Sequence, residues 1–406
     1  MSDPSFIGRF LCLQCDKQTE IIRSQINRQG VEFLIRLSSS GKPLTRLFES
    51  RMSFNHLNEE PIVVGTYNDL VLCCASNLYQ RDYYICNAYT NQWVPLPPPP
   101  QLCQFAAVGF ICDLPYYQCR KDKDNHDHIQ LNADYRYRVV RLIDDPEKKF
   151  SCKFKVQIFS SETGEWTESI VTTPSPVQNN SIDTQIYFPC NGVLYWMAHD
   201  CDFLIGVDPF MITNRNSTSV PSTSSDGIGQ YRCHFIEFDQ HSWDDTTVLQ
   251  CVGVNRGHLQ MLGHDLETHV LYVVKLNEEE VSMAACKFCL DQRVKNYALD
   301  WEMVPDDDAM YLVLPLGFDP SDDGTVYLHI GEAYFIGAIF RYNIHTGEWL
   351  KIVEKSLLKR INSYPLVLPW APTPVPRLPE HARLVKPRRK VPYKFSASGF
   401  SDTKHV

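Results

Sequence analysis

The sequence predicts an all-β chain folded as a β-propeller of about six four-stranded blades, with a short helical remnant at the N-terminus. Three observations predict it. Short segments such as Ile62-Val63-Val64, Val193-Leu194-Tyr195-Trp196, Val270-Leu271-Tyr272-Val273-Val274 and Val326-Tyr327-Leu328 are β-branched or aromatic and are bounded by Gly, Asn or Asp. Such composition suits a pleated surface between tight turns. A unit of turn, strand, strand, polar turn and aromatic residue recurs along the chain. No window, finally, carries a long amphipathic helical period.

The clearest copies of the unit run from Asn68-Asp69 to Thr90-Asn91-Gln92-Trp93 and from Asp323-Gly324 to Thr346-Gly347-Glu348-Trp349. In both, about 25 residues separate the opening turn from the Trp, the length of a hairpin plus its connections. A third copy runs from Tyr137 to Thr163-Gly164-Glu165-Trp166, and a fourth opens at Asn191-Gly192 and closes near Trp243. The fourth is long because residues 213–230, rich in Ser and Thr, read as a flexible loop inserted within the blade. A fifth, weaker copy runs from Thr268-His269 to about Tyr297, with Tyr in place of Trp. Further strands are expected at residues 31–37 and 44–49, and the segment near Leu366–Leu368 is expected to close the ring with them and leave no open edge. The tryptophans Trp93, Trp166, Trp243 and Trp349 are read as packing residues, one per blade, filling the space between neighbouring sheets. The expected divisions are residues 1–14, 30–370 for the propeller, and 371–406 for a Pro-rich, basic, flexible tail. Residues 121–132 are expected to form a charged, His-containing loop.

Composition excludes several function classes. The chain has 406 residues, 44% of them hydrophobic, so it can bury a large core. A net charge of −9 argues against a nucleic-acid surface, because phosphate binding draws on clustered Lys and Arg. No apolar run approaches the roughly 18 residues needed to cross a bilayer, and the start Met1-Ser2-Asp3-Pro4-Ser5 lacks the basic and apolar regions of a secretory signal. An intracellular protein, in cytoplasm or nucleus, is expected. The 15 cysteines are odd in number and lie mostly in apolar runs, as reduced, buried thiols do.

Catalytic signatures are missing: there is no Gly-x-Ser-x-Gly elbow, no His-Glu-x-x-His, no phosphate loop and no dinucleotide fingerprint. Two Cys-x-x-Cys pairs, Cys12/Cys15 and Cys286/Cys289, are too far apart in sequence to form the four-ligand set of a zinc site. His126 and His128 with Asp124 and Asp127 read as a solvated polar loop, and His258, His264 and His269 as surface or satisfied residues. Ser160 through Trp166 approaches the Asp-box of sialidase-type propellers, but Glu replaces Asp and that motif is a structural turn. Lys386-Pro387-Arg388-Arg389-Lys390 is a basic cluster in a Pro-rich tail, read as a solvated end. No catalytic residue, metal ligand or cofactor is expected, and no residue is singled out as a binding contact.

Asp82-Tyr83-Tyr84-Ile85-Cys86-Asn87, followed by Thr90-Asn91-Gln92-Trp93-Val94-Pro95-Leu96-Pro97-Pro98, resembles the first blade of the F-box-associated, kelch-like propeller domain of plant F-box proteins. The openings Asn68-Asp69-Leu70-Val71-Leu72 and Asn191-Gly192-Val193-Leu194-Tyr195-Trp196 resemble it too. Asp69 stands where the family usually has Gly. Residues 2–11 resemble the last helix and exit of an F-box, which implies that most of the F-box is missing from these residues. The resemblance implies a non-catalytic module that recognises a protein destined for ubiquitination by a cullin–RING, SCF-type ligase. Adaptor and cullin are then partners only of a form with the full F-box, and this chain would bind targets without delivering them. The alternative is a propeller enzyme acting on a sugar or small molecule. Residues 121–132 and 213–230 are candidates for shaping the binding face.

Overall fold

The computed structural model describes residues 6–15, 18–26, 32–36, 62–74, 80–87, 90, 92–101, 106–113, 117–121, 127–131, 135–143, 150–178, 182–198, 203–213, 230–237, 247–255, 258–265, 270–275, 284–289, 311–319, 324–332, 336–357, 362–369 and 373–379. Among them every regular element is a strand, and all described pairings are antiparallel.

Sheet I comprises β1 (Phe6–Cys15), β2 (Gln18–Ile26) and β3 (Glu32–Arg36) with the last strand of the chain, β26 (Asn362–Pro369), in the order β26-β1-β2-β3. Sheet II is β4 (Ile62–Tyr67), β5 (Leu70–Cys74), β6 (Tyr83–Asn87) and β7 (Gln92–Pro95). Sheet III joins β8 (Ala107–Cys112) to β11 (Tyr137–Ile143), β12 (Phe150–Ser160) and β13 (Glu165–Gln178), after a separate hairpin of β9 (Tyr117–Lys121) and β10 (Asp127–Leu131). Sheet IV is β14 (Ile182–Cys190), β15 (Val193–Ala198), β16 (Phe203–Thr213) and β17 (Gln230–Glu237). Sheet V is β18 (Thr247–Asn255), β19 (His258–Asp265), β20 (Val270–Lys275) and β21 (Ala284–Cys289). Sheet VI is β22 (Tyr311–Phe318), β23 (Thr325–Glu332), β24 (Ile336–Asn343) and β25 (Trp349–Leu357).

The sequence units map onto these sheets with a constant offset. Asn68-Asp69 and Asn191-Gly192 join first to second strands, and the Trp that closes a unit lies on the fourth. Asn191 and Gly192 have φ of 48° and 85°, the left-handed pair that a two-residue hairpin turn requires. Sheet V departs from expectation. Residues 268–269 fall between its second and third strands, and the link equivalent to the other openings is the short one between Asn255 and His258. Trp243, Tyr297 and residues 44–49 lie outside the described residues.

The helix expected near the N-terminus is instead β1. Its residues Phe6-Ile7-Gly8-Arg9-Phe10-Leu11 are apolar at both ends, and the strand is hydrogen-bonded on both sides, to β2 and to β26. Two-sided pairing satisfies the backbone as fully as a helix would, and the β-rich composition then decides in favour of the strand.

First strands meet in succession: β4 touches β8, β8 touches β14, β14 touches β18, β18 touches β22, and β26 lies against both β4 and β22. Glycines on these strands make the approach possible. A Cβ at Gly109 of β8 would lie 2.7 Å from the Trp196 ring of sheet IV, and one at Gly253 of β18 would lie 2.5 Å from Phe318 of sheet VI. Gly65 of β4 is overlain in the same way by Tyr187 of β14, whose hydroxyl donates to the Thr66 carbonyl at 3.1 Å. Apolar-apolar-Gly just before the turn, as in Val63-Val64-Gly65, Ala107-Val108-Gly109, Cys251-Val252-Gly253 and Pro315-Leu316-Gly317, is thus a second repeated signal beside the tryptophans. The central core is closed by large aromatics packed over bare backbone.

Candidate interaction face

In an antiparallel four-stranded sheet, the 1→2 and 3→4 connections share one end. In sheets III and IV that end carries the two long insertions. The connection from β8 to β11 holds the β9–β10 hairpin, and residues 213–230 span the 3→4 link of sheet IV.

Of residues 121–132, expected as a loop, Lys121 ends β9 and Asp127–Leu131 form β10, while 122–126 and 132 lie outside the described residues. Leu131 pairs with Tyr117, Ile129 with Cys119 and Asp127 with Lys121. The residues of these two strands alternate apolar and polar at strand period, a signal obscured by the charged run that separates them in sequence. Of the four residues read there as a solvated polar loop, Asp127 and His128 lie on β10, while Asp124 and His126 lie outside the described residues. The insertion 213–230 is anchored at both ends, since Thr213 pairs with Gln230 and Ile212 with Tyr231. Its interior lies outside the described residues.

Described residues that flank these insertions in sequence form, with Glu162, a charged and aromatic cluster. Arg136 donates to Asp113 through Nε at 2.8 Å and also through a terminal nitrogen, and Arg138 donates to Glu162 at 2.6 Å. Asp113 follows β8, the two arginines open β11, and Glu162 sits in the β12–β13 turn, so the cluster ties three strand ends of sheet III together. Both guanidiniums lie over the Phe210 ring of sheet IV, at 5.7 and 5.0 Å from its centroid, in the cation–π range. Phe210 reaches them because β16 bulges: Val207 pairs with Cys233 and Ile212 with Tyr231, so residues 208–211 face residue 232 alone. Asp208 holds the bulge by accepting the N–H groups of Phe210 and Met211 at 3.0 and 3.1 Å. The result presents Met211 to solvent, 57% exposed, a soft side chain of the kind suited to adaptable contacts. Sequence reasoning missed this cluster; Asp208-Pro209, a turn signal inside an apolar strand, was the available hint.

A second feature lies at the same end. Residues 373–379, expected as the start of a flexible tail, are packed between sheets II and III. The Asp69 carboxylate accepts the Thr373 N–H at 2.8 Å, Asn87 donates to the Thr373 carbonyl at 2.7 Å, and the Tyr135 hydroxyl donates to the Pro374 carbonyl at 2.9 Å. Asn87 also donates to Asp69 at 2.7 Å and accepts the Thr90 N–H at 3.0 Å. Asp69 therefore has work to do where the resemblance expects Gly. Burial raises its pKa, and the hydrogen bonds from Thr373 and Asn87 pull the other way.

The remaining sequence candidates do not converge. Cys12/Cys15 lie on β1 and Cys286/Cys289 on β21, in different sheets, and His258 and His264 lie on β19. Among the described residues no three His, Cys, Asp or Glu side chains come together as a metal site, and no helix is long and apolar enough to cross a membrane. Trp166 packs between sheets as expected: it contacts Tyr83 of sheet II and donates to the Pro97 carbonyl at 2.7 Å.

All-β architecture in successive four-stranded antiparallel sheets is that of the β-propeller class. The family model for the F-box protein At3g26010-like beta-propeller matches residues 39–336, and the chain belongs to this family. No curated protein matches the chain. Similar solved structures include a prolyl endopeptidase (9% identity, 87% of this chain and 50% of that one, TM-score 0.34). Others are oligopeptidase B from Trypanosoma brucei (8%, 86% and 38%, 0.32) and a periplasmic gluconolactonase from Pseudomonas aeruginosa (6%, 89% and 99%, 0.36). The chain spans half the length of the first peptidase and 38% of the second.

Proposed function

We propose that this chain is a non-catalytic recognition module, the target-binding part of an F-box subunit of a cullin–RING ubiquitin ligase. The six sheets are taken as the blades of one ring that β26 closes. The observation that carries the reading is the gathering at one end of sheets III and IV of both long insertions and the Arg136–Arg138–Phe210–Met211 cluster. Membership of an F-box-protein family supports it, since a rigid scaffold with variable connections at one end suits the selection of a protein partner. Adaptor and cullin are partners through an F-box, and the sheets supply the target.

Affinity purification of three forms from plant cells tests this: the 406-residue chain, that chain preceded by an F-box, and the latter carrying Met211→Asp. Adaptor and cullin are expected only with the F-box, together with a target shared by the first two forms and lost from the third. Recovery of that target in equal yield with Met211→Asp would refute the assigned face. An F-box form that recruits no adaptor would refute the ligase reading.

A further inference from the structure

We infer that the cleft between sheets II and III is a binding site for extended, proline-containing peptide segments, which residues 373–379 fill in cis. Thr373-Pro374-Val375-Pro376-Arg377-Leu378-Pro379 belongs to no helix or sheet, and its three prolines hold the backbone extended. The protein reads that backbone with side chains. Asp69 takes one N–H, and Asn87 and Tyr135 donate to two successive carbonyls. Side-chain donors facing consecutive carbonyls of an extended chain are how grooves recognise polyproline segments. Apolar anchors complete the fit. Leu378 is 4% exposed and belongs to the core shared by sheets II to IV, Val375 packs against that core, and Pro376 is buried, whereas Arg377 points to solvent.

The cleft is built for its occupant and does not merely cover it. Asn87 and Asp69 are fully buried, bonded to each other and to the segment, and they belong to β6 and to the β4–β5 turn, where the fold already fixes them. A free segment of the same chemistry meets the same donors and acceptor. The cis copy competes with it at the high effective concentration of a short tether, so the C-terminal segment regulates access. The inference rests on the reading of this end of the sheets as the binding face. Its test needs neither target nor adaptor, so the two readings fail separately.

A labelled synthetic peptide of residues 371–381 is titrated by fluorescence anisotropy into the full chain and into the full chain carrying Val375→Asp with Leu378→Asp. The doubly substituted chain is expected to keep its cooperative thermal transition and to bind the peptide at least tenfold more tightly than the unsubstituted chain. Adding Tyr135→Phe and Asn87→Ala to it is expected to weaken binding by tenfold or more. A folded double variant that binds no peptide would overturn the proposal. So would loss of its thermal transition, which would make the segment a structural latch. Native-state hydrogen exchange of the unsubstituted chain gives an independent check. The Thr373 amide is expected to exchange at least tenfold faster than the Leu72 amide in the core, and equal protection overturns displaceability.

Discussion

Sheets III and VI carry the same four residues at the same turn, Thr163-Gly164-Glu165-Trp166 and Thr346-Gly347-Glu348-Trp349, and use the Trp differently. The turns are alike in detail. Gly164 and Gly347 both have φ of 69°, each donates its N–H to the residue four back at 2.8 Å, and each Thr hydroxyl accepts the following Glu N–H at 3.3 Å. Trp166 then crosses to sheet II, contacting Tyr83 and donating to Pro97. Trp349 stacks on Phe340 and Tyr342 of its own sheet, 6.0 and 4.3 Å between centroids, and packs against the core that sheets V and VI share. A local motif fixes the turn, and the neighbouring sheet decides what the aromatic holds together.

The largest expected effect separates the two tryptophans directly. Trp166→Ala removes a bridge between two sheets and is expected to cost about 3–5 kcal/mol. Trp349→Ala removes a ring stacked on Phe340 and Tyr342, with no hydrogen bond to another sheet among the described residues, and is expected to cost about 2 kcal/mol. Urea midpoints at constant m-value measure both. Equal losses would mean that the intersheet contact adds nothing.

The second strands also differ in how they bury a basic group. Arg141 in β11 is fully buried and donates to Gln157 and to the carbonyls of Gln101 and Gln80, while Gln157 donates in turn to Glu168. His329 in β23 is buried with neither ring nitrogen hydrogen-bonded, and desolvation lowers its pKa to about 4. A histidine whose folded pKa lies below the ordinary 6.5 binds fewer protons folded than unfolded between those values. Its contribution is therefore intact above pH 6.5 and is lost as pH falls toward 4, by about 3 kcal/mol in all. Stability of the His329→Leu variant is expected to fall by that much less over this window. An unchanged pH slope would clear His329 of the effect.

How much of this was legible follows from what each signal depends on. The unit of turn and Trp was readable because turn chemistry is local: Asn, Gly and Thr act on neighbours within a few residues. Sheet V was misplaced by one hairpin because Thr268-His269 offered a turn-like pair where its neighbours have a different connection, and Tyr297 gave no firm closing mark. The N-terminal strand was misread because its pairing with β26 joins residues as far apart as Phe6 and Pro369, and no local pattern reports such a partner. The cluster of Arg136, Arg138, Glu162 and Phe210 was illegible for the same reason. Arg136, Glu162 and Phe210 look like ordinary surface residues until sheets III and IV place them together. Asp69 was noticed as a departure from Gly, yet its partner Thr373 lies 304 residues away.

The two turns themselves should respond alike. Gly164→Ala and Gly347→Ala each force a Cβ into left-handed backbone, and each is expected to cost about 1–2 kcal/mol. No atom crowds the Cβ position at Gly347, so conformation alone accounts for the loss there. A gap between the two larger than a few tenths of a kcal/mol would show that surroundings reach into the turn.

The smallest effect is the sharpest test of the difference. Phenylalanine keeps an aromatic ring at either site but carries no N–H, so Trp166→Phe forfeits the bond to the Pro97 carbonyl as well as part of the ring. Leaving that carbonyl without its partner is expected to add about 1 kcal/mol to the cost of shrinking the ring. Trp349→Phe loses only ring area, because no hydrogen bond from its indole is found among the described residues. The two substitutions remove the same atoms, so subtracting one loss from the other isolates the intersheet hydrogen bond. A difference near zero would assign the work of Trp166 to its ring contacts with Tyr83 and Phe159.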